Sequence, residues 1–342
     1  MIILISIILP VYNDEKGIVK TIQSIKNINY YDLEVIIIND GSTDNTKNII
    51  NKEIQNDSRF RVYNNTNHGC SYSRNYGLKY ANGEYITFID SGDTYYDSIF
   101  EFIDNKKQFD VYMFGFNRIE GNNIIYKNLP IKGVLNQYEI HENLMPLFLA
   151  PLKNDSRDEP LMGSVWRVII NRKLIEKYHI SFNIDINVAE DLIYLLTVLK
   201  YCKNIFLINK PYYNYIRQAG TAIEKYRDDM WENSMLCEKL IYEIFVETTS
   251  KKNFMLRWKV FQFYQCTWAF SNISRSKNIN YKKMKEKSAA IFDYFRQNND
   301  YCILKEISFQ RKIIFYLIKI RALPIIFILF ILKEKRRIYK YE

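Results

Sequence analysis

The 342-residue sequence has few residues that bind soft metals. It contains only three histidines, His68, His141 and His179, and they are dispersed without the spacing of metal ligands. Its five cysteines are also scattered, and none forms the C-x-x-C pair typical of a zinc site. Their odd number and irregular spacing argue against a disulfide framework and favour a reducing compartment.

The sequence also lacks a long, uninterrupted apolar segment. Residues 1–9 are apolar but have no basic start and no cleavage signature, so we expect a buried strand rather than a signal peptide. The apolar tail 313–332 is interrupted by Lys319, Arg321 and Pro324, and charges near the centre of a span oppose insertion. We favour an interfacial helix followed by a basic anchor at a membrane surface. The alternative is a core-packing helix with a solvated charged end.

The formal net charge of +10 indicates affinity for phosphate groups in nucleotides, nucleic acids or anionic lipids. The basic residues do not form a recognition helix, and acidic clusters elsewhere would repel nucleic acid, so we expect no nucleic-acid partner. Hydrophobic residues make up 48% of the chain, which is enough for a full core. The length suggests one large domain with a smaller extension.

Strand and helix signals alternate over the first hundred residues. Buried β-branched runs predict strands at 2–9, 33–38, 60–63 and 85–89. Apolar residues at helical spacing lie between these runs, and repeated β-α-β units favour an α/β fold with a mostly parallel sheet. From about residue 226 onward the pattern is helical. We therefore expect an α/β domain over 1–220, a helical region over 221–312 and an apolar, basic tail over 313–342.

Polar clusters follow three of the predicted strands. They read PVYND, NDGSTD and DSGD, and a fourth cluster, Glu190-Asp191, begins a leucine-rich helix. Each alone has an ordinary explanation, because Asp and Asn form turns and cap helices. Together they point to function, because loops at the carboxyl ends of parallel strands share one edge, where ligands bind. A core does not require this arrangement, whereas a phosphate and metal site does.

The sequence resembles the family 2 glycosyltransferases of the GT-A nucleotide-sugar-binding type. The matching segments are ISIILPVYND, LEVIIINDGSTDNT, NHGCSYSRNYGLKYANGEYITFIDSGD and AEDLIYLL, in the family's order and spacing. The resemblance covers about residues 4–215. It implies a GT-A-like, Rossmann-like sheet flanked by helices, with nucleotide-sugar binding and the catalytic base in the domain 1–220 and a helical C-terminal extension.

The resemblance also implies roles for individual positions. Asp191 would be the general base, and Asp40 would accept a hydrogen bond from the uracil ring. Asp90 would contact the ribose or the metal, and Arg74 would help to hold the nucleotide, since its fork of donors suits a diphosphate. The predicted donor-binding residues are Pro10, Tyr12, Asn13, Asp40, Asn67, Arg74, Asp90 and Ser91.

Asp90 and Asp93 are the predicted ligands of a divalent metal, Mn²⁺ or Mg²⁺, because hard cations prefer carboxylate oxygens. The family usually reads Asp-x-Asp-Asp, but Gly92 stands at the third position, which normally supplies the metal ligand. Either Asp93 or Asp90 replaces that ligand, or metal dependence is weakened. Candidates for acceptor contact are Trp166, Arg217 and Glu190. Trp166 is equally consistent with a core position, and Arg217 with a surface charge.

The resemblance implies inverting transfer of a hexose or N-acetylhexosamine from a UDP-sugar. We expect inversion because one base and one in-line displacement leave no place for a covalent intermediate. The expected acceptor is a hydroxyl of a surface glycan (capsule, lipopolysaccharide or teichoic-type polymer) or of a lipid-linked oligosaccharide. The tail would make this a peripheral protein in the bacterial cytoplasm, at the inner face of the membrane. The alternative is a catalytically impaired GT-A scaffold or nucleotide-sugar-binding module, with Gly92 as the lesion.

Overall fold

A computed structural model describes residues 3–103, 107–155, 157, 159–217, 225–276, 281–298 and 301–338. The chain forms two compact units. The first unit comprises Met1–His141 and Gly163–Arg217, and the second comprises Glu142–Met162 and Gln218–Glu342. The predicted domain boundary at residue 220 lies outside the described residues and stays a prediction. The segment Glu142–Met162, which the sequence did not single out, belongs to the second unit.

Strands and helices alternate in the first unit. The strands are β1 (Ile5–Val11), β2 (Leu33–Asn39), β3 (Phe60–Asn64), β4 (Tyr85–Phe88), β5 (Thr94–Tyr95), β6 (Val111–Glu120), β7 (Asn123–Lys127), β8 (Gly133–Asn136), β9 (Val168–Asn171) and β10 (Asn204–Ile216). The helices are α1 (Ile18–Lys26), α2 (Thr46–Glu53), α3 (Cys70–Tyr80), the single turn α4 (Gln137–Glu139), α5 (Arg172–Lys177) and α6 (Glu190–Tyr201).

Among the described residues, ten strands form one mixed sheet in the order β3-β2-β1-β4-β9-β6-β10-β5. Strand β7 pairs with β6, and β8 pairs with β10. The first four strands run parallel, as predicted. Strand β9 lies antiparallel between β4 and β6, although it comes much later in the chain. The mostly parallel sheet with flanking helices confirms the expected α/β class.

Strand β1 lies at the centre of the parallel part and is buried along its whole length. One face packs with Ile18, Ile22 and Ile25 of α1 in the main apolar cluster. On the other face, Ile8 meets α3 at Gly77. Helices on both faces explain why the strand is a continuous apolar run. Its register with β2 and β4 brings the loops after all three strands to one sheet edge.

The second unit is built from helices. They are α7 (Met230–Thr248), α8 (Lys251–Ser274), α9 (Tyr281–Asn298), α10 (Phe309–Lys319) and α11 (Leu323–Ile338). Phe263 of α8 packs against Phe295 and Phe315, with ring centroids 6.4 Å and 5.8 Å away. Phe270, further along α8, packs against Phe327 at 6.3 Å. Helix α8 therefore supplies the core against which α9, α10 and α11 pack.

The apolar tail forms two helices where the sequence predicted one, and its placement at a membrane surface stays a prediction. Its residues belong to α10 and α11, which are separated by a turn in which Arg321 has a φ of 55°. Pro324 occupies the second position of α11, where a missing N–H costs no helical hydrogen bond. Within the described part of the chain, no helix has both the length and the apolar character needed to cross a membrane.

We expect Gly77→Ala to lower the free energy of unfolding by about 1–3 kcal/mol, because overpacking outweighs alanine's better helix propensity. A Cβ at this position would lie 2.5 Å from Cγ2 of Ile8. Urea unfolding measures the change. Lys79→Ala, at an exposed position of the same helix, is the control and should shift stability by less than about 0.5 kcal/mol. A Gly77→Ala protein as stable as the wild type would contradict this close packing.

Candidate active site

Asn13 joins the loops that follow β1 and β2. Its side-chain oxygen accepts a hydrogen bond from the backbone N–H of Thr43 at 2.7 Å. Its own backbone N–H donates to Oγ of Ser42 at 3.0 Å. The φ of Asn13 is 49°, a left-handed conformation that asparagine adopts more readily than most residues. This predicted donor-binding residue therefore fixes the relative position of two strand-end loops.

Asp14 joins the loop after β1 to the loop after β4. One carboxylate oxygen accepts a hydrogen bond from the Ser91 hydroxyl at 2.5 Å, and the other accepts the N–H of Gly17 at 2.9 Å. The backbone N–H of Asp14 donates to Oγ1 of Thr46 at 2.9 Å. Asp14 thus positions Ser91, which is a predicted donor-binding residue. It lies inside the PVYND cluster, although no individual role was predicted for it.

Asp40 is buried and fixes the turn that precedes α3. Its carboxylate oxygens accept hydrogen bonds from the backbone N–H groups of His68 at 3.1 Å and Gly69 at 2.8 Å. Gly69 has a φ of 90°, which favours glycine. Each carboxylate oxygen can accept more than one hydrogen bond, so capacity remains for the predicted bond from uracil. Asn67, another predicted ligand, is exposed at this turn.

The guanidinium of Arg74 brings together acidic side chains from distant parts of the sequence. Its Nη2 donates to Oδ1 of Asp90, after β4, at 2.9 Å. Its Nη1 donates to Oδ1 of Asp191, at the start of α6, at 2.5 Å. Glu190 lies 3.7 Å from the same nitrogen. The predicted base, Asp191, and the predicted donor-binding residue Asp90 are therefore bound to the same guanidinium. The predicted contact of Arg74 with the nucleotide stays a prediction.

Burial strengthens the interactions within this acidic cluster. The Arg74 side chain is only 3% exposed, whereas those of Asp191 and Asp90 are 20% and 36% exposed. Burial opposes the charge of Arg74, but Asp191 and the other acidic neighbours hold its pKa well above the ordinary value. Burial raises the pKa of Asp191 to about 7; Arg74 acts against this rise, and Glu190 and Asp90 add to it. A carboxylate that titrates near neutral pH is suited to general base catalysis.

Asp93 faces the interior rather than the open edge of the sheet. Its carboxylate accepts hydrogen bonds from the Tyr213 hydroxyl and from the N–H of Ile216, both at 2.7 Å. The Tyr213 hydroxyl in turn accepts the backbone N–H of Asp90 at 3.2 Å. Burial and the nearby charge of Asp90 raise the pKa of Asp93 to about 8. Asp93 is only 4% exposed, so its metal contact stays a prediction.

Gly92 occupies a position that disfavours any side chain. Its φ is 93°, and its N–H donates to Oγ1 of Thr21 at 2.9 Å. A Cβ built on Gly17, at the start of α1, would lie 2.7 Å from the Gly92 Cα, so the two backbones are in close contact. The glycine that departs from the family pattern therefore matches the backbone conformation of this loop.

The remaining predicted site residues are differently placed. Pro10 is buried within β1, and Tyr12, which follows β1, is 47% exposed. Trp166 is buried and stacks on Tyr213 with ring centroids 4.2 Å apart, so an acceptor sugar would reach the indole only if this stack opened. The side chain of Arg217 pairs with Glu120 at 3.1 Å. The acceptor contacts of Trp166, Arg217 and Glu190 stay predictions.

Tyr213 is a site residue that the sequence analysis missed, in addition to Asp14. It contacts the loop after β4 from β10, more than a hundred residues away, and it touches both Asp93 and Trp166. The only local signal was the aromatic run YYNY just before Arg217. Such a run equally indicates a buried strand. The contact of Tyr213 with a distant loop cannot be recognised from the local sequence.

The carboxylates at the sheet edge fit a metal held mainly by the donor. Within the described ranges, no group of three His, Cys, Asp or Glu residues is arranged to hold an ion. Mg²⁺, however, commonly binds through one or two carboxylates, substrate phosphates and water. Asp90 suits this mode because its side chain is 36% exposed at the edge. Asp93 suits it less, because its carboxylate is buried and hydrogen-bonded.

Comparison with known proteins finds similar glycosyltransferases. Residues 6–159 match the family Glycosyl transferase family 2. The uncharacterized glycosyltransferase EpsJ of Bacillus subtilis is 30% identical over 229 residues, which is 66% of this chain and 64% of EpsJ. The cholesterol galactosyltransferase of Borreliella burgdorferi is 25% identical over 311 residues, covering 84% of this chain and 82% of that protein. These matches bear out the resemblance to the family 2 glycosyltransferases that the four sequence segments predicted.

A solved structure shares the fold. Residues 1–349 of TarS from S. aureus, crystallised with UDP-GlcNAc, superpose with a TM-score of 0.68 at 18% identity. The match covers 97% of this chain and 92% of the TarS fragment, so it extends through the C-terminal helices. At this level of identity the likeness defines the fold alone, and it confirms the predicted GT-A-like domain with a helical C-terminal region.

We expect Arg74→Met to lower the free energy of unfolding by about 3–5 kcal/mol, because it leaves partly buried carboxylates without their buried cation. Thermal and urea unfolding measure the loss. The control is Arg296→Met, which removes an ion pair whose arginine is 72% exposed and should cost less than about 1 kcal/mol. Equal losses in the two variants would show that the acidic cluster does not depend on Arg74.

Proposed function

We propose that this protein transfers a sugar from a UDP-sugar donor to a hydroxyl group, with inversion at the anomeric carbon. The observation that carries the proposal is the convergence of Asp90 and Asp191 on Arg74, at the sheet edge where the strand-end loops meet. Ligands bind at this edge in open α/β sheets. Such a transfer requires a residue that binds the donor and, beside it, a base whose pKa is near neutral.

The donor pocket in this proposal is formed by the loops after β1, β2 and β4. Asp40 accepts the N–H of the uracil ring with its remaining lone pairs, and Tyr12 and Ser91 line the ribose side. The links made by Asn13 and Asp14 hold these loops in place before the donor binds. Preorganised contacts of this kind reduce the ordering cost of binding. The UDP-GlcNAc complex of TarS, which has the same fold, supports UDP as the nucleotide.

A divalent cation, Mn²⁺ or Mg²⁺, is part of the proposal. Asp90 is the residue that would hold it, together with the donor's own phosphate oxygens and water. When bound, the cation would stabilise the negative charge that develops on the departing diphosphate. Asp93 has an indirect role in this proposal. It binds the Tyr213 hydroxyl, which accepts the backbone N–H of Asp90 and so fixes that residue's position.

Asp191 is the proposed general base. Its Oδ1 is bound to Arg74, and its Oδ2 accepts the N–H of Val165 at 3.3 Å, so the carboxylate is held in one orientation. It removes the proton of the acceptor hydroxyl as that oxygen attacks the anomeric carbon and the sugar–diphosphate bond breaks. Attack from the side opposite the leaving group inverts the configuration. No second carboxylate has to form a covalent intermediate.

The proposed acceptor is a surface glycan or a lipid-linked oligosaccharide, and the proposed location is the cytoplasmic face of the bacterial membrane. The similarity to a cholesterol galactosyltransferase, which extends over most of both chains, supports an acceptor that resides in a membrane. Which hexose or N-acetylhexosamine is transferred depends on side chains around the anomeric carbon. A surface glycan of the capsule, lipopolysaccharide or teichoic type fits the same reaction.

A second candidate function follows from Gly92. Gly92 offers no carboxylate to a metal. Its φ of 93° also disfavours any residue with a carboxylate side chain at this position. The protein would then be a nucleotide-sugar-binding module with impaired catalysis. Such a module binds donor but releases no UDP from it, whereas an active transferase slowly transfers the sugar to water.

We expect UDP and UDP-sugars, with Mn²⁺ present, to raise the melting temperature of the protein, because ligand binding to the native state adds stability. GDP- and CDP-sugars should shift it less. Release of UDP from UDP-sugars without acceptor, followed in parallel, separates the transferase from the binding module. Binding without any release would favour the module, and the absence of a shift with every uridine nucleotide would refute the donor assignment.

We expect Asp191→Asn to lower the rate of transfer by about 10²–10⁴-fold while donor affinity changes little, because the base is lost while Asp90 still binds Arg74. In the wild type, kcat/KM should rise with pH through about 7, since the base acts only when ionised. The residual rate of Asp191→Asn should lack this rise. Asp185→Asn, on an exposed segment before α6, is the matched control. An equal loss of donor binding and transfer in Asp191→Asn would refute the base assignment.

A further inference from the structure

Helix α10 exposes a line of large apolar side chains. Phe309, Ile313, Tyr316 and Ile320 follow one another at spacings of four, three and four residues, which places them on one helical face. They are 77%, 44%, 47% and 71% exposed. The opposite side of the helix packs within the second unit, where Phe315 and Ile318 are buried. The exposed face is therefore not required for the core.

Helix α11 repeats this arrangement. Ile325, Ile328, Leu329 and Leu332 lie at helical spacing on one face and are between 39% and 57% exposed. The buried residues of the same helix, which pack in the second unit, are Leu323, Ile326, Phe327 and Phe330. A surface helix is normally apolar on one face only. Helices α10 and α11, which contact each other, both present a second apolar face to solvent.

These two helices are also strongly basic. Residues 309–338 contain eight lysines and arginines and a single acidic residue, Glu334. They therefore carry +7 of the chain's formal net charge of +10. Part of this charge is paired, since Arg321 binds Asp293 at 2.6 Å. Glu334 is likewise bound, to Arg275 at 3.1 Å, so the segment's only acid is already neutralised.

We propose that the exposed faces of α10 and α11, here named the tail surface, dock on an anionic lipid membrane. The tail surface consists of Phe309, Ile313, Tyr316, Ile320, Ile325, Ile328, Leu329 and Leu332. Apolar side chains enter the acyl boundary, while flanking lysines and arginines attract anionic headgroups. A contact between two copies is disfavoured, because a two-fold interface would bring the same positive segments together.

The tail surface deepens the proposed function, because a lipid-linked acceptor is found at a membrane. The surface itself lies entirely in the second unit and uses none of the residues of the candidate active site. Vesicle binding and donor hydrolysis are therefore separate measurements. Loss of one without the other identifies which of the two proposals fails.

The test is flotation of the full-length protein with vesicles of phosphatidylglycerol or of phosphatidylcholine. The tail variant carries Ile313→Ser, Ile320→Ser, Ile328→Ser and Leu332→Ser. The matched control carries the same number of substitutions at exposed branched residues elsewhere: Ile124→Ser, Ile184→Ser, Leu236→Ser and Val246→Ser. Substitution is sharper than truncation, because truncation would also remove the buried Phe315 and Phe327. Thermal unfolding and UDP-sugar hydrolysis without vesicles show whether each variant is folded.

Wild type and control should float with phosphatidylglycerol vesicles, and the tail variant should partition at least roughly tenfold less. Phosphatidylcholine vesicles and raised salt should weaken binding by wild type, because both remove the electrostatic part. Lys312→Gln with Lys333→Gln should weaken binding to phosphatidylglycerol only. Equal flotation of wild type and tail variant would overturn the proposal. The proposal would also be overturned if the wild type bound neither kind of vesicle and formed dimers that the tail variant does not form.

Discussion

The pairing of one buried guanidinium with acids from distant segments is the interaction on which the candidate site depends. Arg74 of α3 binds Asp90 after β4 and Asp191 at the start of α6. Without this cation, the acids would repel one another in a desolvated setting and take up protons. Without the acids, a charged guanidinium would be buried and unpaired. The same contact thus fixes the position of the base and opposes the rise in its pKa that burial causes.

The polar residues around this cluster act first on the protein's own backbone. Asn13 links the loops after β1 and β2, Asp14 reaches the loop after β4, and Asp40 holds the turn before α3. Each side chain satisfies backbone or hydroxyl donors at the strand ends. A nucleotide would therefore meet loops that are already fixed. Residue types that suit donor binding also suit this task, which is why each cluster alone had an ordinary explanation.

The early part of the chain is readable from the sequence because its elements are local. The apolar run of β1 and the helical spacing in α1 reflect burial against neighbours along the chain, so their predicted positions agree closely with the structure. Strand β9 was not foreseen, because it enters the sheet between β4 and β6 from a distant segment. The tail was expected as one helix, whereas a turn at Arg321 divides it, and only the fold shows which apolar residues are buried.

The sequence by itself indicated the family resemblance, the parallel order of the first strands and the residue types available at their ends, because these follow from short patterns and fixed spacings. The tertiary structure alone decided what each acid does there. It turned Asp93 inward to Tyr213 and placed Asp191 beside Arg74. The reason is physical: burial and the nearest opposite charge set a carboxylate's orientation and proton affinity, and both come from residues far away in the chain.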